Sequence, residues 1–153
     1  MSLSLVLAAA LSAAGPAGCS PEAPDRLLDG YYTAEAADFD PQGWKEFLTI
    51  YVSAGRIVSA EYDARNASGF LRTWDIAEMR TSNNARASHQ IQAARAYRAT
   101  LLTRQDPTKI GPLPGLAQAH PAFQRLAEAA VAQARSGDPR VVFVPPADQK
   151  RPE

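Results

Sequence analysis

A single cysteine, Cys19, and two histidines, His89 and His120, are all that the chain holds of either residue. One thiol excludes an internal disulfide framework and a four-cysteine zinc site, and two imidazoles are too few for a histidine-built metal centre. An excess charge of either sign is also missing. Sixteen Lys and Arg balance sixteen Asp and Glu, so no overall field draws the chain to nucleic acid or to an acidic surface. The arginines are scattered, and no nucleic-acid motif appears. There is no Gly-x-Ser-x-Gly elbow, Walker loop or His-Glu-x-x-His pair, which leaves hydrolase and NTPase readings without residues to carry them. No acid–base pair or activated nucleophile stands out, so no catalytic residue is named.

What is present starts with an apolar run, MSLSLVLAAALSAAGPAGCS, ahead of the first charged residue, Glu22. It is too short to be a stable bilayer span. Small residues at Pro16-Ala17-Gly18 precede Cys19, the shape of a secretory signal. With cysteine directly after Ala-Gly, residues 1–19 resemble a bacterial lipoprotein signal, in which the thiol of the first mature residue carries a lipid. The expectation is an exported protein, periplasmic or on the cell surface, anchored to the membrane through Cys19. Residues 20–28 read as a polar, Pro-containing tether, residues 29–144 as one folded domain, and residues 145–153 as a flexible polar tail.

Within the domain, residues 31–36 read as a strand and Asp40-Pro41-Gln42-Gly43 as a turn. Residues 44–62 have the alternation of a β-hairpin. Leu48, Ile50 and Val52 lie on one side, Ser53-Ala54-Gly55-Arg56 make the turn, and Ile57, Val58, Ala60 and Tyr62 form the return strand. Residues 63–69 read as a polar loop. Thr73 is a candidate cap for a short helix through Trp74, Ile76 and Met79. Trp74 is expected in the core, the alternative being a planar ligand stacked on it.

Residues 87–105 form a helix with Ile91, Ala94, Tyr97 and Leu101 on one stripe, stopped by Asp106-Pro107. A Gly/Pro-rich loop, Gly111-Pro112-Leu113-Pro114-Gly115, then leads to a helix patterned by Phe123, Leu126, Ala127, Ala130, Val131 and Ala134. A glycine loop feeding a helix start is a possible anion site, because the first N–H groups of a helix have no internal partners. Gly137 follows as a C-cap and residues 141–144 as a last strand. The order predicts an α+β fold, a single small domain with a mostly antiparallel sheet and helices on one face.

Several stretches together resemble the FMN-binding domain family, in particular its small bacterial membrane-anchored lipoproteins or membrane immunogens. They are Asp29-Gly30-Tyr31-Tyr32-Thr33-Ala34-Glu35, Phe39-Asp40 through Gly43-Trp44, residues 52–58, Gly69-Phe70 through Trp74-Asp75, Leu102 through Gln105-Asp106-Pro107 and Phe123-Gln124 with residues 126–130. The resemblance implies a flavin carrier outside the cytoplasm, more an electron-transfer or binding protein than a stand-alone enzyme, with a redox partner protein. In many members FMN is joined by a phosphoester to the last Thr or Ser of a Ser-Gly-Ala-Thr-like motif just before the final helix. Counted back from Phe123, the matching residues are Pro114, Gly115, Leu116 and Ala117.

The acceptor position is therefore an alanine. A methyl group cannot form a phosphoester, so covalent FMN is not expected. The resemblance leaves Gly115, Leu116, Ala117, Gln118 and His120 as residues that would flank a non-covalently held flavin or other small ligand. The alternative is a degenerate member that has lost the cofactor and serves as an extracytoplasmic binding or structural module.

Overall fold

A computed structural model describes residues 26–75 and 85–146. The signal segment, Cys19, the first part of the tether, Ile76, Met79 and residues 147–153 lie outside the described residues. Four strands form one sheet in the order β3-β2-β1-β4. β1 (Gly30–Ala36), β2 (Lys45–Ser53) and β3 (Arg56–Arg65) are antiparallel neighbours, and β4 (Val142–Val144) adds to β1 in parallel at the edge. Two long helices, α1 (Ala85–Arg104) and α2 (His120–Ser136), pack on one face. The fold is α+β, as the alternation of the sequence predicts. Among the described residues no helix is long and apolar enough to cross a membrane.

The hairpin forms because its apolar residues have period two. Leu48, Ile50 and Val52 are fully buried against the helices, and Tyr32 and Ala34 of β1 share that face. Ala54 and Gly55 both take positive φ, 52° and 74°, a backbone twist that matches a tight antiparallel turn. Asp29 fixes that turn by accepting the Ala54 and Gly55 N–H groups, both at 3.0 Å.

The return strand departs from strict alternation. Tyr51 pairs with Ser59 but Val52 with Ile57, so Val58 is an extra residue in a bulge. Ile57 is buried while Val58 is half exposed. The strand also runs through Asp63 and Ala64 to Arg65, where the sequence reading has a polar loop. Asp63 is tolerated there, buried, because its carboxylate accepts the Ala64 N–H at 2.7 Å and the Thr73 hydroxyl at 2.6 Å.

Residues 70–75 bring a second correction. Arg72–Trp74 is a single 3₁₀ turn preceded by Leu71, with no side-chain cap, so Thr73 is not a cap. The turn lies along the outer edge of β3 through an Arg65–Leu71 bridge. In that position Arg72 points inward and is 6% exposed, whereas Trp74 is 61% exposed beside Phe70. The core expectation for Trp74 fails because a tight turn on a sheet edge has no apolar face to bury.

The helices follow their stripes. Ile91, Ala94, Tyr97 and Leu101 of α1 are buried, as are Phe123, Leu126, Ala127, Ala130, Val131 and Ala134 of α2. Phe123 is the hub, stacked on Tyr97 at 4.8 Å and edge-on to Tyr62 at 5.3 Å. Alanines on α2 keep its axis close to the sheet. Gly137, at φ 70°, closes the helix with its N–H on the Gln133 carbonyl, a left-handed cap that a side chain would strain. Gln105 ends α1 at φ 63°. Its side-chain amide accepts the Ile57 N–H at 2.8 Å and donates to the Ile57 carbonyl at 2.9 Å, stitching the helix end to β3.

At the N-terminal side, Leu27 packs on the core and the Leu28 N–H reaches the Ala134 carbonyl at 2.8 Å. The packed chain thus includes two residues that composition alone assigns to the tether. The face of the sheet away from the helices has its own order. Tyr31 stacks on Tyr51 at 4.4 Å, and the Thr33 and Thr49 hydroxyls meet at 2.8 Å. Glu35 is 3% exposed there, held by Lys45 at 3.2 Å and by Arg65. Lys45 in turn lies over the rings of Phe39 and Phe143.

Candidate functional site

The stretch between the helices is built from small turns. Asp106, extended before Pro107, caps the 3₁₀ turn Pro107–Lys109 by accepting the Thr108 N–H. Gly115 takes φ 72°, with open space where a Cβ would be. Ala117–Ala119 forms a further 3₁₀ turn that runs directly into α2. The loop is held from beneath by Tyr97. Its hydroxyl accepts the Leu113 N–H at 3.0 Å and donates to the Leu116 carbonyl at 3.2 Å. The ring nitrogen Nε2 of His120 lies 2.7 Å from the Ile110 carbonyl, and its imidazole tilts against Tyr97.

The five residues that the resemblance singles out are therefore close in the chain, but their side chains have different surroundings. Leu116 packs toward the core, Ala117 and Gln118 are exposed, and His120 is half-buried and engaged with the loop. The start of α2 is also short of donors. The Ala119 N–H goes to the Leu116 carbonyl and the His120 N–H to the Ala117 carbonyl. Pro121 has none to offer. What remains for an anion is less than a glycine loop before a helix suggests.

Ala119 borders something the sequence reading did not single out. A small pocket of about 20 Å³ lies between Ala119, Gln90, Ile91 and Ala94 on the helical side and Glu46, Tyr62, Asp63, Ala64 and Arg72 on the sheet side. That is room for about one water molecule. Around it sits a network of buried charge. Arg72 donates to Asp40 at 3.2 Å, approaches Glu46 at 3.9 Å and lies over the Trp44 ring at 5.1 Å. Its Nε is buried with no partner among the described residues.

Burial pushes the Glu46 carboxyl above its ordinary range, with nearby Asp40 adding to the push. Arg72, Arg125 and the Tyr62 hydroxyl offset only part of it. Burial, with Glu46 beside it, likewise raises Tyr62 well above an ordinary phenol. Tyr62 therefore stays a neutral hydroxyl at any physiological pH. A signal for this cluster does exist in the sequence. Glu46 is in phase with Leu48, Ile50 and Val52, which puts an acid on the core-facing side of the strand.

Next to this pocket, and sharing Tyr62 and Ala94 with it, is a cleft of about 210 Å³ lined also by Glu61, Thr73, Arg95 and Arg98. Arg98 pairs with Glu61 at 2.9 Å. Among the described residues no group of three or more His, Cys, Asp or Glu could hold a metal ion.

No family model matches the chain. Across 117 residues it is 27% identical to the 15 kDa lipoprotein of Treponema pallidum (strain Nichols), covering 76% of this chain and 83% of that protein. The fold is similar to the crystal structure of CPE2226 from Clostridium perfringens, with a TM-score of 0.60 and 27% identity, over 78% of this chain and 98% of that one. A solution structure of a Clostridium thermocellum protein is 32% identical over 69% of this chain and 91% of its own, with a TM-score of 0.49.

Proposed function

We propose that the chain is an exported lipoprotein, anchored to the membrane through Cys19, whose folded domain engages flavin mononucleotide reversibly and without a covalent bond. Similarity to a lipoprotein over most of the chain supports the anchored, exported part of this reading. The cofactor part rests on the ordered resemblance to the FMN-binding domain family. One observation carries the non-covalent part. Ala117 occupies the acceptor position, exposed in a 3₁₀ turn, and the residues after it up to Pro121 bring no replacement hydroxyl. The chemistry would belong to the flavin, and the domain would position it and set access.

A second reading, a module without flavin that recognises another partner, is favoured by the size of the openings. Cofactor pockets measure about 300–1,000 Å³, whereas the spaces beside Tyr62 are about 20 and 210 Å³. Absorbance and fluorescence of the purified protein before and after acid precipitation separate the readings. Flavin released to the supernatant is the expected result. Flavin retained by the pellet overturns the non-covalent assignment, and a colourless protein that does not bind added FMN leaves the flavin-free module.

A further inference from the structure

The chain enters the domain at one end of the sheet, and the chemistry of that end fits a lipid surface. We propose that this end, formed by residues 26–31, the Ala54-Gly55 turn and the C-termini of both helices, is the face that rests on an anionic bilayer. The inference builds on the anchoring of Cys19 in the reading above. From Cys19 to Leu27, the first of the described residues to pack on the core, is a step of eight residues. Fully extended, that reaches at most about 28 Å. A tether so short keeps the end it enters next to the membrane.

What lies at that end is independent of the anchor. The Arg26 side chain packs on Gly55, and Leu28 lies beside Gly137. Leu28 is 43% exposed and Tyr31, stacked on Tyr51, is 67% exposed. Tyrosines and a leucine beside arginines suit the boundary between headgroups and acyl chains, where an aromatic ring keeps its hydroxyl in water. Arg56, Arg104 and Arg135 are at the same end, exposed and without an ion-pair partner among the described residues.

Arg104 and Arg135 sit in the last turns of their helices, where a cation also answers the helix dipole. Arg56 begins a strand and has no such role. The acids at this end are engaged: Asp29 by the turn backbone, Asp106 by Thr108 and Lys109, and Asp138 by Arg140. The opposite end carries Asp40, Glu46 and Asp63 together with Lys45, Arg65 and Arg72. The tether end thus holds three exposed arginines without an ion pair, Arg56, Arg104 and Arg135, whereas the cations Lys45, Arg65 and Arg72 of the opposite end are paired with acids.

Amide hydrogen exchange of the full chain, in vesicles containing phosphatidylglycerol and in detergent, tests the face directly. Slower exchange in vesicles across residues 27–31 and 53–57, with residues 62–72 unchanged, is expected. Equal exchange in both media, or slowing at residues 62–72 instead, overturns the proposal. A second measurement does not depend on the lipid. The full chain carrying Cys19→Ala is mixed with the same vesicles, and Arg56→Gln is expected to lower partitioning about fivefold, the effect of one basic residue near an anionic surface. Arg98→Gln, in the cleft on the side of the domain, should leave it unchanged. Partitioning indifferent to Arg56, or equally sensitive to Arg98, overturns the face. The mass of the mature N-terminus reports acylation separately, so an unmodified Cys19 would remove the anchor while the vesicle measurements still decide the face.

Discussion

Two neighbouring regions of this domain use their polar groups in opposite ways. The loop before α2, with its glycines and helix start, has the outline of a binding site, yet its polar atoms hold the loop itself. Tyr97 and His120 face the backbone of residues 110–116, and the first N–H groups of α2 close onto the 3₁₀ turn. The cluster around Glu46, Tyr62 and Arg72 has no recognisable motif. It nevertheless contains buried charge, a raised carboxyl and an unpartnered guanidinium nitrogen. Outline and chemistry belong to different places, and perturbed groups are the better guide to where chemistry is possible.

The largest expected effect comes from removing the cation of the cluster. Arg72→Met leaves Asp40 and Glu46 facing each other without their partner. Breaking a buried pair from one side costs about 3–5 kcal/mol, and the low end applies because both acids are half-buried. Urea unfolding at neutral pH measures it, and a change no larger than that of a surface substitution would mean that the cluster is not holding the fold.

The loop should be less sensitive. Tyr97→Phe keeps the ring stacked on Phe123 but leaves the Leu113 N–H and Leu116 carbonyl without their partner. The expected loss is about 1–2 kcal/mol. If it exceeded that of Arg72→Met, the contrast between the two regions would be reversed.

The pH dependence separates them further. The folded pKa of Glu46 is raised above its unfolded value of 4.5. The folded state therefore holds a proton that the unfolded state releases, and stability falls as pH rises from about 4.5 through the folded pKa. Asp29, Asp106 and Asp138 are lowered, Asp138 to about 2. Their contribution is present above the unfolded value of 3.8 and lost as pH falls through the folded values. Glu46→Gln should flatten the decline above pH 4.5 without touching the acid limb. Chemical denaturation across the pH range reads both limbs, and an unaltered slope above 4.5 would assign the decline to another group.

The smallest effect is expected at Ala117→Thr. The site is exposed on a turn, so stability should stay within about 0.5 kcal/mol. That tolerance lets the hydroxyl be restored and covalent flavin sought by mass. A large loss of stability would instead show that the turn has no room for the hydroxyl of the resembled motif.

Much of the architecture was legible before any coordinates because it follows from local periodicity. Leu48, Ile50 and Val52 repeat every second residue, and the Phe123–Ala134 stripe repeats at helical spacing. Each pattern names both the element and its buried side. The α+β class, the turn at Ala54-Gly55 and the glycine cap at Gly137 could be read in the same way. The misses share a cause. The bulge that turns Val58 outward, the extension of β3 to Arg65 and the exposure of Trp74 each depend on a partner strand or on the edge of the sheet. A one-dimensional pattern does not encode those.

The sequence by itself determined which residues prefer helix or strand, where the chain turns, and that position 117 lacks a hydroxyl. These are properties of single residues and their near neighbours. Only the tertiary structure decided that Glu46, Tyr62 and Arg72 line one small pocket, and that the His120 ring nitrogen belongs to the Ile110 carbonyl. It also decided that Leu27 and Leu28 pack at the end of the domain where Arg56, Arg104 and Arg135 are exposed. Burial and the company of distant charges set what those groups can do, and both come into being only when strands and helices far apart in the chain are packed together.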